Sequence, residues 1–179
     1  FTVVLQPHGT DAAGTATLDL CNGTYPSEKL RTARRQVIVA DAQGNGVLST
    51  EAVLYRSPAA TAQAFTELRN VTAHCPSKPV ASPVGEPTVQ TKFFAAPDTT
   101  WPQTAGVERL AFDLDTVDAS GQHFRSAAVY LRRGRVLLGI YFSPANGTAT
   151  TVQHKTSTAD IVGIFAARMA DLPAHAING

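Results

Sequence analysis

Apolar and polar residues follow two different periods in the first half of the chain, and these periods distinguish strands from a helix. The runs RRQVIVA (residues 34–40) and VLSTEAVLYR (residues 47–56) predict two strands, and the turn-rich DAQGNG between them predicts a hairpin loop. Ser57 followed by Pro58 is typical of a helix start, because serine caps the first turn and proline fits the first helical position. The helix is predicted to run to about His74. Its buried stripe is predicted to consist of Ala60, Ala64, Phe65, Leu68 and Val71.

The middle of the chain changes to a proline-rich loop and then to further strands. The segment CPSKPVASPVGEPT, which begins at Cys75, contains four prolines and a glycine and therefore predicts a loop inside the domain. A strand is predicted near residues 88–94, followed by a loop that contains Trp101. Between residues 107 and 142, VERLAFDLDTV, QHFRSAAVYLRR and RVLLGIYF predict an antiparallel meander. The third run is apolar on both faces, which predicts a central position in the sheet.

The last element is predicted to be an amphipathic helix, STADIVGIFAARMADLP, with Ser157 as its N-cap and Pro173 at its end. Its buried stripe is predicted to consist of Ile161, Ile164, Phe165, Met169 and Leu172. The order of elements predicts an α+β fold, in which an antiparallel β-sheet with a C-terminal meander is packed by two main helices. Both helices are expected on one side of the sheet, with Phe65 and Phe165 in one core.

Composition adds limits on domain number and on partners. Apolar residues make up 44% of the 179 residues, so the chain can bury its own core and is predicted to be a single domain, residues 1–179. Charged residues make up 16%, below the roughly 25% of typical soluble proteins, which favours a secreted module over a cytosolic enzyme. The net charge of +1 predicts no nucleic-acid partner.

Membrane attachment is expected only through an N-terminal anchor outside this sequence. No run approaches the roughly 20 apolar residues of a membrane span. The first residues, FTVVLQPHGT, have neither a start methionine nor the pattern of a signal peptide. The chain is therefore expected to be a trimmed ectodomain, and a monomer.

The two cysteines, Cys21 and Cys75, are either two buried thiols or one disulfide. Cys21 follows an apolar LDL and precedes the turn-forming NGT, whereas Cys75 follows the predicted helix and precedes Pro76. Disulfides commonly tie such element ends together, so the placement favours a single bridge. A bridge implies an oxidising compartment and predicts an extracytoplasmic location.

Two segments resemble the PknH-like extracellular sensor domain of mycobacterial receptor kinases and lipoproteins. They are YRSPAATAQAFTELRNVTAHCP, in which a strand precedes Ser57-Pro58, a helix with Ala64-Phe65, and Cys75-Pro76, and the terminal STADIVGIFAARMADLP after the meander. The resemblance implies a domain outside the membrane, with helices around an antiparallel sheet and a cleft for an unidentified ligand. The family usually has two disulfides, and here this chain departs from the pattern, because its cysteines suffice for one.

Catalysis, metals and cofactors are not predicted. The five histidines show no HxH or HExxH spacing, so a metal site lacks its ligand set. Neither a G-x-S-x-G elbow nor an S-x-x-K motif is present, and a disulfide would remove both thiols from chemistry. The chain is therefore interpreted as a non-catalytic ligand-binding or sensor domain. The alternatives are a protein–protein interaction module of the cell envelope and, less favoured, a hydrolase.

A ligand site is predicted in a cleft beside the meander, bordered by Arg109, Arg125, Tyr130 and Tyr141, with Trp101 in its proline-flanked loop as a further candidate. Arginine can hold an anionic head group, and tyrosine supplies apolar contact with a hydroxyl. The predicted ligand is a small apolar or anionic envelope molecule. The alternative is that these arginines and tyrosines solvate an outer sheet face and that Trp101 anchors its loop.

Two further groups of arginines are either anion sites or soluble turns. One group lies at the predicted hairpin tip of the meander, and the other precedes the first hairpin. The first consists of Arg132, Arg133 and Arg135, and the second of Arg31, Arg34 and Arg35. An anionic site would require the two groups to meet on the sheet.

Overall fold

The computed structural model describes residues 1–75, 90–95, 102–117, 120–143, 151–152 and 156–179. The predicted proline-rich loop after Cys75 and the predicted site residue Trp101 lie outside these residues. The described residues form an α+β domain, as the sequence predicts. The strands are β1 Thr2–Leu5, β2 Arg31–Ala40, β3 Gly46–Tyr55, β4 Gln90–Ala95, β5 Glu108–Val117, β6 His123–Arg133, β7 Val136–Phe142, β8 Thr151–Val152 and β9 Thr156–Ser157. The helices are α1 Pro58–Thr72, α2 Thr158–Ala170 and α3 Ala174–Asn178, with 3-10 turns at Leu20–Asn22 and Pro26–Leu30.

Strands β1 to β7 form one antiparallel sheet in the order β1-β2-β3-β7-β6-β5-β4, and β8 pairs separately with β9. The first hairpin joins the meander because β3 pairs with β7, with Val53 opposite Leu137. Strand β7 therefore lies at the centre of the sheet, which confirms the prediction made from its apolar sequence. Leu138 and Ile140, whose side chains point to the face opposite that of Leu137, are buried as well.

The two long helices lie on opposite faces of this sheet, so the expectation that both cover one side is wrong. Strands β6 and β7 carry apolar side chains on both faces, and each face therefore has to be covered. The core beneath α1 includes Val53, Phe65, Phe112, Ala128 and Tyr130. The core beneath α2 includes Ala111, Val129, Leu138, Ile140 and Phe142, with Phe165 packed against it. The prediction of one shared core for Phe65 and Phe165 is wrong for the same reason.

Helix α1 begins as the sequence predicts. The Ser57 hydroxyl accepts a hydrogen bond from the backbone N–H of Ala60 at 3.2 Å, and Pro58 occupies the first turn. The predicted stripe is confirmed, because four of its members are buried and Val71 packs against the same core. Phe65 anchors this stripe with 1% of its surface exposed.

Helix α2 is capped by Ser157, whose hydroxyl accepts from the N–H of Asp160 at 3.0 Å. Its buried face differs from the predicted one, because Ile164 is 59% exposed while Val162 and Ala166 are buried. The face of α2 that packs on the sheet is therefore the one that carries the smaller side chains Val162 and Ala166. No helix within the described ranges has the length and apolar character needed to cross a bilayer.

Cys21 and Cys75 form a disulfide, which confirms the predicted bridge. The bridge ties the end of α1 to a coil that the apolar pattern did not predict as structured. This coil is held further by Ser27, whose hydroxyl donates to the Glu67 carboxylate at 2.5 Å, and by the Tyr25 hydroxyl, which donates to the backbone oxygen of Leu20 at 3.0 Å. The N-terminal coil is therefore fixed against α1, and its Leu18 and Leu20 share a core with Val53 of β3.

The arginines at the β6–β7 hairpin hold the C-terminal helices. Arg133 Nη1 donates to the carbonyl oxygens of Met169 at 2.6 Å and Leu172 at 3.0 Å, where α2 ends. Arg135 Nε donates to the carbonyl oxygen of Ala176 at 2.9 Å. These two guanidinium groups stabilise helix ends and give no support to an anion site at this hairpin.

The hairpin turn itself packs closely on α3. Gly134 has φ of +54°, and a Cβ there would lie 2.2 Å from the carbonyl oxygen of Ile177. Arg132, the third arginine of the group, forms an ion pair with Glu108 on β5. The three guanidinium groups therefore bind Glu108 and the ends of the C-terminal helices.

Candidate functional site

The four predicted site residues do not border one cleft. Arg125 and Tyr130 lie five positions apart on the regular strand β6, so their side chains point to opposite faces. Arg109, opposite Leu131, belongs to the same face as Arg125. Tyr130 and Tyr141 instead belong to the α1 face. A single site that combines the arginines with the tyrosines is thus not formed.

Tyr130 and Tyr141 make an edge-to-face pair, with ring centroids 5.9 Å apart and ring planes at 85°. Tyr130 is fully buried, whereas Tyr141 reaches the wall of a cavity. Burial raises the pKa of both phenols well above its ordinary value. Of the four predicted residues, Tyr141 is the one that lines this cavity.

The cavity is an open cleft of about 310 Å³ between the N-terminal coil and the sheet. The pairing of β2 with β3 places Gln36 opposite Glu51 and Ile38 opposite Ser49. These side chains lie on the α1 face of the sheet, beyond the part that α1 itself covers, and they give the cleft its polar walls. The coil contributes Ala16, Thr17 and Asp19; β2 contributes Arg34, Gln36 and Ile38; β3 contributes Ser49 and Glu51; and β7 contributes Tyr141. We call this site the cleft.

A buried ion pair forms the floor of the cleft. Arg34 Nε donates to Glu51 Oε1, and the two side chains are only 7% and 5% exposed. The other guanidinium nitrogens are also engaged, because Nη1 donates to the backbone oxygen of His8 at 3.0 Å and Nη2 donates to Gln36 Oε1 at 2.7 Å. Arg34 is therefore held rigidly by protein acceptors.

The burial of the carboxylates in the cleft is offset by fewer charged and hydrogen-bonding partners than the burial of Arg34. Burial raises the pKa of Glu51 to about 7, Arg34 lowers it in part, and the charges of Asp19 and Glu28 raise it further. Burial also raises the pKa of Asp19, and Glu28 adds to the effect. The cleft therefore changes its charge near neutral pH.

The coil wall is fixed by Glu28, which lies in the second 3-10 turn. Its carboxylate accepts from the Thr17 backbone N–H at 2.8 Å and from the Thr17 hydroxyl at 2.5 Å. Arg31 pairs with Glu28 at 3.1 Å and donates to the Thr15 carbonyl oxygen at 2.6 Å. These contacts hold the wall in place without a ligand.

Sequence reasoning missed the acidic half of this site. The signal is Glu51, a charged residue in the strand sequence VLSTEAVLY that shares a face with the apolar Val53 and Tyr55. Arg34 and Arg31, which the sequence places in one basic group, pair separately with Glu51 and Glu28. In the part of the chain that the structure describes, no cluster of three or more His, Cys, Asp or Glu side chains is arranged to hold a metal ion.

A scan against models of known protein families finds none that matches this sequence. A search of curated proteins likewise finds no match. Among solved structures, the extracellular domain of PknH from Mycobacterium tuberculosis is similar, with 12% sequence identity and a TM-score of 0.49 over 95% of this chain and 76% of that chain.

Proposed function

We propose that this chain is an extracytoplasmic domain that binds a small ligand in the cleft and performs no catalysis. The observation that carries the proposal is the buried Arg34–Glu51 pair at the floor of an open cavity of about 310 Å³. Pockets for small molecules begin at about 300 Å³ and combine apolar walls with a few fixed polar groups. The cleft has this combination.

The charge pattern supports a binding role over a purely structural one. Buried charges are costly unless they are paired, and apolar residues of similar volume often stabilise a fold as well or better. Asp19 adds a second carboxylate at the same cleft, where burial raises its pKa. A fold that needed only stability would gain nothing from this second charge.

An extracytoplasmic location is supported by the disulfide between Cys21 and Cys75. Structural disulfides persist in secreted and envelope proteins and are rare in the cytosol. We therefore place the ligand among small molecules of the cell envelope or the external medium.

Filling the cleft is expected to abolish binding. Ser49→Phe projects a ring into the cleft from β3, whereas Ala52→Phe adds the same ring to an exposed position on the opposite face of that strand. A library of small cationic, neutral and anionic molecules is screened by ligand-observed NMR against both variants and the wild type. Members that bind wild type and Ala52→Phe, but not Ser49→Phe, are expected. If no member distinguishes the two variants, the cleft is not the site.

A second candidate function is supported by β1, an end strand of the sheet. Its apolar side chains are exposed, with Val3 at 67% and Leu5 at 50%. Exposed apolar edges promote pairing with an added strand, which suits a protein–protein interaction module. The partner proposed for this edge is an extended segment of an envelope protein.

The double variant V3K/L5K tests this second candidate. An extended peptide of alternating threonine and valine is titrated into the wild type and the variant by calorimetry. If the peptide pairs with β1, the variant should bind it at least about tenfold more weakly, because the lysines replace the apolar side chains that contact the added strand. Ser49→Phe is expected to leave this affinity unchanged. Equal affinity for wild type and V3K/L5K would exclude the edge.

A further inference from the structure

We propose that the ligand of the cleft carries a cationic group, an ammonium or a guanidinium, which binds Asp19 and Glu51. This inference rests on the proposed function and specifies the chemistry of its ligand. It follows from which polar atoms of the cleft are already engaged and which remain available.

The available atoms are hydrogen-bond acceptors. Glu51 accepts from Arg34 through Oε1, and its second oxygen accepts no hydrogen bond from the described residues. The Asp19 carboxylate interacts with its own backbone N–H and with no other donor in the described part of the chain. The second oxygen of Glu51 and the half-buried carboxylate of Asp19 can therefore accept hydrogen bonds from a group that enters the cleft.

The charged donor of the cleft, the Arg34 guanidinium, is by contrast engaged on each of its nitrogens. All three nitrogens of Arg34 donate to protein oxygens, namely those of Glu51, His8 and Gln36. An anionic ligand would have to compete with Glu51 for Arg34 and would meet the charge of Asp19. The anionic ligand expected from the sequence is therefore disfavoured at this site.

The charge balance agrees with the hydrogen bonding. Asp19 and Glu51 together oppose Arg34, so the lining carries one net negative charge when both carboxylates are ionised. The adjacent Glu28 is balanced by Arg31 at 3.1 Å. An ammonium group would neutralise the remaining charge and supply the missing donors.

The remaining walls accept a short apolar chain. Ala16 and Ile38 line the cleft, and Tyr141 adds an aromatic surface next to the carboxylates. Aromatic faces attract cations as well as aliphatic groups. A small aliphatic amine therefore matches both parts of the cleft.

Titration of Glu51 gives the proposal a pH signature. The groups that face it are Arg34 on β2, Asp19 on the coil, Glu28 on the 3-10 turn, Tyr130 on β6 and Tyr141 on β7. Burial raises the pKa of Glu51 to about 7, and burial likewise keeps Tyr141 neutral by raising its pKa well above the ordinary value. A cation favours the ionised carboxylate, so affinity is expected to rise about tenfold between pH 6 and pH 8.

The test uses three probes of equal chain length: pentylamine, pentanol and pentanoate. Their dissociation constants are measured at pH 8 from the amide chemical shifts of cleft residues in the wild-type protein. Pentylamine is expected to bind about tenfold or more tightly than pentanol, and pentanoate more weakly than either, because a charge-assisted hydrogen bond exceeds a neutral one.

Two variants assign the effect to the carboxylates. D19N and E51Q keep side-chain size and are each expected to weaken pentylamine binding about tenfold, and E51Q should also flatten its rise between pH 6 and pH 8. The matched control is D113N, because Asp113 also has a raised pKa but lies on β5 outside the cleft. Circular dichroism identifies a variant that fails to fold. In that case the pentylamine affinity of the other variant tests the assignment.

The outcomes separate this inference from the proposed function. If pentanol or pentanoate binds as tightly as pentylamine and Ser49→Phe abolishes that binding, the cleft is a site and the cationic assignment is wrong. If D113N weakens pentylamine as much as D19N and E51Q do, the cation binds elsewhere. If none of the probes shifts the cleft amides, the site and the inference both fail.

Discussion

The variant C21S/C75S is expected to lower the free energy of unfolding by about 4 kcal/mol. The bridge closes a segment of 54 residues, and in the chain-entropy model a loop of this length restricts the unfolded chain by roughly that amount. The variant also frees the coil that borders the cleft from the end of α1. Urea denaturation of oxidised wild type and variant measures the difference.

Wild type treated with reductant provides the matched control for this variant. Reduced wild type should unfold at the same urea concentration as C21S/C75S, which cannot form the bridge. A loss of less than about 1 kcal/mol would mean that packing alone fixes the coil, and it would weaken the argument that this domain depends on an oxidising compartment.

Phe65→Ala is expected to cost about 3 to 5 kcal/mol, as deep aromatic truncations do. Phe65 is fully buried under α1, and the guanidinium of Arg69 lies 4.9 Å from the centre of its ring. The matched control is Phe165→Ala, since Phe165 is only partly buried against the other core. Its loss should be less than about half as large, measured by the same denaturation.

The double variant F65A/F165A extends this comparison. The two rings lie on opposite faces of the sheet, so their losses should add to within about 0.5 kcal/mol. Strong non-additivity, or equal losses in the two single variants, would contradict the assignment of the helices to separate cores.

The strands and long helices could be predicted because their signals are local. The helix start at Ser57-Pro58 and the central position of β7 both depend on a few neighbouring residues, and the structure confirms both. Strand β1 does not follow from the local pattern, because it depends on a distant partner. Thr2–Leu5 forms a strand only by pairing with the end of β2.

The side of the sheet on which each helix packs required information that one-dimensional patterns do not hold. The alternation in VERLAFDLDTV predicts one apolar and one wet face for this strand, yet Ala111 on the predicted wet face is buried beneath α2. Small residues such as Ala111 and Ala166 give weak apolar signals, although they pack closely between a helix and a sheet. The larger Ile164 gave a strong signal and is exposed.

The cleft was the hardest part to predict, because its walls come from a coil and three strands. Tyr141 was singled out from its strand, but nothing local connected it with Arg34 or Asp19, which lie more than a hundred residues away. The pairing of β3 with β7 creates this proximity. The predicted partners Arg109 and Arg125 lay on neighbouring strands and yet on the wrong face.

The central position of β7 also governs the order in which the molecule can be completed. Strand β3 lies in the first third of the chain, but its second partner is β7, so Val53 pairs with a residue, Leu137, that is synthesised much later. By then the first hairpin, α1 and both cysteines have already been synthesised. Cys21 and Cys75 both precede β7 in the chain, whereas the lining of the cleft also includes Tyr141 of β7. The disulfide therefore joins two segments that precede the meander, whereas the complete cleft also requires a strand of the meander.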